Sequence, residues 1–464
     1  MNFSIIDQLS FAKLSQDFNP MHCDVVLARR YIFGEPVVHG INAMIVAIKV
    51  WSKQHELPFE INRLRCKFNK PIYLQDEISF EVNDKNENIR INAIQNGEIK
   101  IIIYLNVCEK KSQFNPKEKW DLFTADRPND IPFGDLDGYS KKLKCSISAK
   151  LAVKMYGKEF VDKIGIGQLA EIVSFSRIVG MHAPGLNSIF SELQINSDVV
   201  EKKDNIFFKV QSIDERFNIV NIESNGPSFN ASLKTFYRPV LVKQKTIKQM
   251  KDNLNKEEFI DFRALIIGGS RGLGEFTAKS LGYGGAKLMI TYAKGKNDVT
   301  NVSKDIKKYN KSVSLHCLDV MNFQDVDYEI LKKFDPTHVF YFATPFIFIG
   351  VKNKFCRIKY DKFKRYYVDA FQVIVEILSK NNTQKKHFFY PSSVAIDEQP
   401  NDMLEYTLAK KNGELLCSEL EKKYPQIKIY KPRLPRLETD QTVSLSSVKN
   451  EDPVAILKII RSMK

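Results

Sequence analysis

The sequence predicts two architectures in one chain. The N-terminal half is α+β, a long helix wrapped by an antiparallel sheet, with that layout repeated. The C-terminal domain is α/β, with helices around a doubly wound parallel sheet. Three observations predict this. A nearly all-apolar helical stretch at 37–54 is followed by four strand-like segments. A weaker copy of the same order occupies 168–242. From residue 262, short apolar strands alternate with helices, beginning with a glycine-rich turn.

The first unit opens on a helix-like segment and a loop at Asn19-Pro20, with Gly34 and Pro36 beyond it. The stretch VVHGINAMIVAIKVWSKQ is apolar almost all round, the pattern of a helix buried on every side. Segments 61–69, 77–83, 88–95 and 99–107 carry Val, Ile, Phe and Tyr at strand spacing, and Asn96-Gly97 reads as a hairpin turn. One helix in such a sheet is the hot-dog layout. Residues 111–138, rich in Lys, Asp, Pro and Gly, read as a linker. In the copy, 168–193 is helix then turn, broken at His182-Ala183-Pro184-Gly185, and 205–211, 216–223 and 228–242 read as strands. The charged run 243–260 shows no apolar face of any width and reads as a second linker or a solvated helix. The strands of the last domain (RALIIGG, AKLMITYA, VSLHCLDV, THVFYFAT, KHFFYPSS, IKIYKPRL) are spaced for βαβ units with right-handed crossovers. The predicted domains are 1–125, 126–245 and 261–464, with the linker at 246–260.

The 464 residues include 70 basic and 55 acidic side chains, a formal charge of +15. The lysines are dispersed, with no interleaved aromatic residues and no helix-turn-helix, zinc-finger or RNA-recognition pattern, so nucleic acid is not an expected partner. The excess is either a compositional bias toward lysine and asparagine or a surface suited to an anionic carrier protein or CoA thioester. Seven cysteines include no C-x-x-C pair, which argues against a zinc site or disulfide framework and for a reducing cytoplasm. No run of about 18 apolar residues is present, so no membrane span is expected. The N-terminal segment lacks the organisation of a signal peptide. No metal site is expected, and a homodimer stays open.

In the C-terminal domain, Gly268, Gly272 and Gly274 follow strand 264–267 and lead into a helix predicted to start at Glu275. Glycines let a backbone approach a pyrophosphate, and a helix start offers it free N–H groups. Residues 276–297 contain no Asp or Glu to hold a ribose 2′-hydroxyl. Arg271, Lys294 and Lys296 instead favour the 2′-phosphate of NADP over NAD. Tyr406 and Lys410 stand one helical turn apart, with Ser393 upstream. The lysine would stabilise a phenolate that is otherwise hard to form at neutral pH. Tyr406 would then exchange a proton with a carbonyl oxygen held by Ser393 while a nicotinamide exchanges hydride.

In the first unit, DFNPMH places Asp17, Asn19 and His22 in one short loop before the buried helix. A carboxylate and an imidazole together can hold one water and move its proton, as adding water to a conjugated double bond requires. The helix start at His39-Gly40 offers N–H groups to a thioester carbonyl. The same loop also reads as a helix cap built on an Asx-turn.

Residues 11–44, FAKLSQDFNPMHCDVVLARRYIFGEPVVHGINAM, resemble the MaoC-type (R)-specific enoyl-CoA hydratases, and RCKFNKPIYLQDEISFEV (65–82) extends the likeness to about 110 residues. The resemblance implies Asp17 and His22 as the catalytic pair, Asn19 as the residue positioning the loop, and Gly40 as the oxyanion donor. The copy at 139–242 lacks the loop, so it is expected to be non-catalytic and to shape an acyl tunnel, with His182 structural. Residues 262–440 resemble the short-chain dehydrogenase/reductase family: IGGSRGLG stands for its glycine turn and LDV (318–320) for its adenine-side Asp. That resemblance implies catalytic roles for Ser393, Tyr406 and Lys410. It implies NADP contacts from Gly268, Ser270, Arg271, Gly272, Leu273, Gly274, Asp319, Val320, Ala343 and Lys410. The chain departs from that family at FATP (342–345), in place of N-N-A-G, and at YYVDAF (366–371), which lacks the family's Asn. Peroxisomal multifunctional enzymes join the same two families in the opposite order.

The expectation is a bifunctional enzyme: an (R)-3-hydroxyacyl thioester dehydratase or enoyl hydratase plus an NADP-dependent 3-oxoacyl thioester reductase of fatty-acyl metabolism. Its substrate would be an acyl-CoA or acyl carrier protein thioester. The alternatives are a dehydratase whose reductase domain is a scaffold, an interaction protein on both folds, or an enzyme of polyketide or surface-sugar precursors.

Overall fold

The computed structural model describes residues 1–464 apart from 86–87, 110–115, 119–125, 198–204, 381 and 446–447. The chain forms two compact units, one mainly Met1–Arg29 and Glu35–Val240, the other mainly Leu241–Val443.

The first unit begins with α1 (Ile5–Ser15), where Ser4 and Asp7 close a capping box. It ends at Gln16 in the left-handed region. Next comes α2 (Gly40–Ser52), whose Ile41, Met44, Ile45, Ile48 and Trp51 are buried, as an all-apolar helix requires. The strands β1 (Phe59–Phe68), β2 (Ile78–Lys85), β3 (Asn88–Gln95) and β4 (Glu98–Glu109) follow, close to the predicted positions. Asn96 and Gly97 both have positive φ, as a type I′ hairpin demands. The 111–138 segment is not wholly a linker: Lys117–Glu118 pairs with Ser146–Ile147, and Leu136 is buried.

The second half of this unit has β5 (Ser140–Lys144) and three consecutive helices, α3 (Ala149–Tyr156), α4 (Lys158–Ile164) and α5 (Ile166–Arg177). The break after α5 is a π turn, Ile178–His182. Then come β6 (Ser188–Asn196), β7 (Asn205–Asp214), β8 (Ile219–Asn225) and β9 (Asn230–Tyr237). The strands β1 to β9 form one antiparallel sheet in the order β2-β3-β4-β1-β6-β9-β8-β7-β5. The β1–β6 pairing, Leu64 opposite Ile195, joins the two halves. A single core runs through both, from Phe11, Ile45 and Trp51 to Leu169, Phe175 and Leu233.

The second unit is built on a parallel sheet. Its strands are β10 (Arg263–Ile267), β11 (Lys287–Tyr292), β12 (Val313–Cys317), β13 (His338–Tyr341), β14 (Lys386–Phe389) and β15 (Ile427–Tyr430). They lie in the order β12-β11-β10-β13-β14-β15, every neighbouring pair parallel. The order reverses between β10 and β13, where such sheets open a crevice at the carboxyl ends of their strands. The helices α6 (Gly272–Tyr283) and α7 (Leu404–Lys423) carry the residues of interest. The 243–260 run departs from the linker or solvated helix expected of it. Its Ile247, Met250, Leu254 and Phe259 are buried in the sheet's core. Among the described residues, no single helix is long and apolar enough to cross a membrane.

Candidate active sites

In the first unit the chain leaves α1 at Gln16 and turns Asp17 and Asn19 inward, where both are buried. Two Asx contacts shape the loop: the Asn19 N–H donates to Asp17 Oδ1 and the Met21 N–H to Asn19 Oδ1, each at 3.1 Å. The Asn19 amide donates to the carbonyls of Gly180 and Gly185, both at 3.1 Å. Asn19 therefore ties the loop to the π turn of the second half. The Ser176 hydroxyl on α5 donates to Asp17 Oδ2 at 2.7 Å. Neither Ser176 nor Gly180 was signalled by the sequence. Gly180 is required there, because a Cβ would stand 2.2 Å from Asp17 Oδ1.

His22 donates from Nδ1 to the Val37 carbonyl at 2.8 Å, which leaves Nε2 free to accept a proton. The His39 ring stacks on it at 3.9 Å. His39 Nε2 lies 3.1 Å from the Asp17 carbonyl, and its Nδ1 and backbone N–H both meet Gln8 Oε1 at 2.9 Å. Burial raises the Asp17 carboxyl, against the His22 charge and the Ser176 and Asn19 hydrogen bonds. Burial lowers His22, against Asp17 and Val37. An imidazole and a carboxyl group set side by side are the pairing that proton transfer to and from water needs. Ligating atoms of Asp17, His22 and His39 lie within 4.8 Å of one another. His39 Nε2 is already engaged with the Asp17 carbonyl, and His22 joins the pair by ring stacking. Gly40 heads α2, and a Cβ there would press on the Phe68 ring at 2.9 Å. His182 is buried with neither ring nitrogen partnered, and burial pushes it down to about 3. A cavity of about 850 Å³, lined by Arg63, Arg65, Arg90 and Tyr104, lies on the sheet face away from this core.

In the second unit, Gly268 has φ +79°, and a Cβ there would stand 3.0 Å from the Phe342–Ala343 backbone. Gly274 faces Gly268, where a Cβ would stand 2.3 Å from the Gly268 carbonyl. α6 starts at Gly272, a turn earlier than the predicted Glu275. Ser270 is buried and Leu273 partly so. Asp319 is exposed after β12, capping the Met321 N–H at 3.0 Å, and Val320 is buried beside it. Ala343 follows β13. These residues gather at the carboxyl ends of β10, β12 and β13, a cradle that fits a dinucleotide. Arg271 pairs with buried Asp440 at 3.0 Å, so its charge is partly committed within the protein.

Ser393 follows β14 and hydrogen-bonds both the Ala395 N–H, at 3.2 Å, and Tyr406. Tyr406 and Lys410 lie buried on α7. The Lys410 ammonium donates to the Pro391 carbonyl at 2.6 Å and sits 5.8 Å from the Tyr406 ring. Burial pushes Lys410 down to about 7, against Cys417 and Glu414. Burial also raises Tyr406, opposed by Ser393.

Residues 4–104 match the family described as MaoC like domain. The chain is 27% identical over 111 residues to the peroxisomal hydratase-dehydrogenase-epimerase of Saccharomyces cerevisiae, covering 24% of this chain and 12% of that protein. It is 30% identical over 83 residues to the (R)-specific enoyl-CoA hydratase of Aeromonas caviae, covering 17% of this chain and 60% of that one. The chain thus spans less than two thirds of the length of either relative. A solved angucycline C-6 ketoreductase with bound NADP covers 45% of this chain and 90% of its own, at 19% identity and a TM-score of 0.40.

Proposed function

We propose that the chain is bifunctional, hydrating a trans-2-enoyl thioester in its first unit and interconverting the resulting (R)-3-hydroxyacyl and 3-oxoacyl thioesters in its second. We read 1–125 and 126–245 as two hot-dog halves and 261–464 as a doubly wound dinucleotide-binding domain. The observation that carries the hydratase half is the buried Asp17 carboxylate, held by Ser176 and Asn19 beside a His22 whose Nε2 is free. The match of residues 4–104 to the MaoC like domain supports it.

In the hydration step, Asp17 and His22 hold one water and His22 Nε2 takes its proton as the oxygen bonds to C3. The thioester oxygen gathers charge against the N–H groups heading α2, and a proton is returned at C2. In the second unit, NADP, with NAD as the weaker candidate, would lie on the Gly268–Gly274 cradle. When bound it supplies or accepts the hydride at C3. Ser393 holds the C3 oxygen, Tyr406 exchanges its proton, and Lys410 supplies positive charge behind the phenol. The acyl carrier is CoA or a carrier protein, the site of action is cytoplasmic, and a homodimer is compatible with the reading.

One assay tests the coupling. Crotonyl-CoA and NADP⁺ are supplied together, and loss of the enoyl absorbance is followed beside gain of NADPH. Both signals are expected. Hydration without NADPH would sink the coupled reading in favour of a dehydratase with a reductase-like scaffold, which the Arg271–Asp440 pair and the raised Tyr406 phenol favour.

A further inference from the structure

Lys410 is buried with its ammonium 3.9 Å from the centre of the Tyr367 ring and 5.1 Å from that of Tyr390. A buried ammonium needs compensation for lost water. An aromatic face gives it, because the ring quadrupole attracts a cation most strongly where water is excluded. Glu414 and Cys417, further along the same helix, also favour the charged form.

Two segments that depart from the reductase pattern build this seat together. Thr344, in FATP, lies 2.6 Å from the Tyr367 hydroxyl, in YYVDAF. Tyr367 belongs to a π turn, Arg365–Asp369, and the preceding Tyr366 carbonyl accepts from the Tyr341 hydroxyl at 2.6 Å. The Tyr367 ring meets Tyr406 edge-on at 5.7 Å. On α7, a Cβ at Gly413 would stand 1.9 Å from the Tyr390 hydroxyl, so glycine there admits Tyr390 beneath the lysine.

We infer that Tyr367 is a positioning residue for the Tyr406–Lys410 pair: its ring seats the Lys410 ammonium, Thr344 fixes the ring in place, and Tyr390 closes the far side. The consequence for catalysis rests on the reductase reading; the seat itself does not. With Lys410 already pushed to about 7, the loss of one stabilising contact makes it largely neutral at neutral pH.

The test is the titration of Lys410 by NMR in the full-length chain labelled with ¹³Cε-lysine, for wild type, Tyr367→Phe and Tyr367→Leu. Tyr367→Met supplies a second ring-free side chain should the leucine variant fail to fold. The ring-free variants are expected to raise the acid dissociation constant of Lys410 about tenfold, moving its titration to lower pH. Tyr367→Phe keeps the ring but loses the Thr344 bond, so its titration moves less than that of the ring-free variants. The pH profile of NADPH-dependent reduction should move with the ring-free titration while KM for NADPH holds. A ring-free lysine that titrates as in wild type overturns the proposal, and so does a phenylalanine variant shifted as far as leucine. Because the titration needs no substrate, a wild-type chain that reduces no 3-oxoacyl thioester counts against the reductase reading alone.

Discussion

Burial drives the Asp17 carboxyl upward, and the Ser176 hydroxyl, the Asn19 N–H and the His22 charge pull it back. Ser176→Ala removes one of those restraints, a hydrogen bond to a charged group worth roughly 1.5–3 kcal/mol. The carboxyl should rise further, and the acid limb of the hydration profile should move to higher pH with it. A profile that does not move would show that ionised Asp17 is not required. Lys410 is the opposite case, a cation whose folded-state value lies near 7, below its ordinary 10.5. The unfolded chain therefore binds more protons between those values, so stability rises with pH across that window. Below it the penalty is complete, on the order of several kcal/mol. Lys410→Met is expected to be more stable than wild type in urea at about pH 6 and to lose the advantage toward about pH 10. An equal difference at both values would mean that packing, and not charge, separates the two proteins.

At the scale of elements, the π turn after α5 is the device that completes the first site. It brings the Gly180 carbonyl to Asn19 and leaves room for the Asp17 carboxylate. Gly180→Ala places a methyl group where Asp17 Oδ1 now lies, so hydration should fall by about a hundredfold or more for a displacement on the order of 1 Å. Circular dichroism should stay native; a variant of normal activity would remove the turn from the site. The DFNPMH loop was legible in the sequence because its residues are adjacent and their chemistry is local. Ser176 was not, because its bond to Asp17 spans 159 residues and only the paired halves bring it near. The hairpin at Asn96-Gly97 was legible for the same local reason. The 243–260 segment was misread because its four core side chains are scattered among lysines over a short helix and turn, too sparsely to show a face.

At the scale of the whole molecule, each unit has its own buried core and holds one of the two candidate sites. Strand spacing and glycine placement act locally, so the motif order along the chain carries the expectation of separate domains. Which cations remain free was not foreseeable: Arg271 is drawn to Asp440, 169 residues away. If each site needs only its own unit, the two activities must separate by mutation. Asp17→Asn keeps the shape of the loop but removes the charge that His22 works against, so hydration of crotonyl-CoA should fall by about 10²–10⁴. Oxidation of supplied (R)-3-hydroxybutyryl-CoA with NADP⁺ should persist in that variant. Tyr406→Phe removes the proton carrier of the second site while leaving its ring against Tyr367, so it should abolish oxidation and spare hydration. Supplied with crotonyl-CoA, the tyrosine variant should accumulate the 3-hydroxy product, and an equimolar mixture of the two variants should restore NADPH formation. Loss of both activities in either single variant would mean that one site carries both steps, and the two-site assignment would fail.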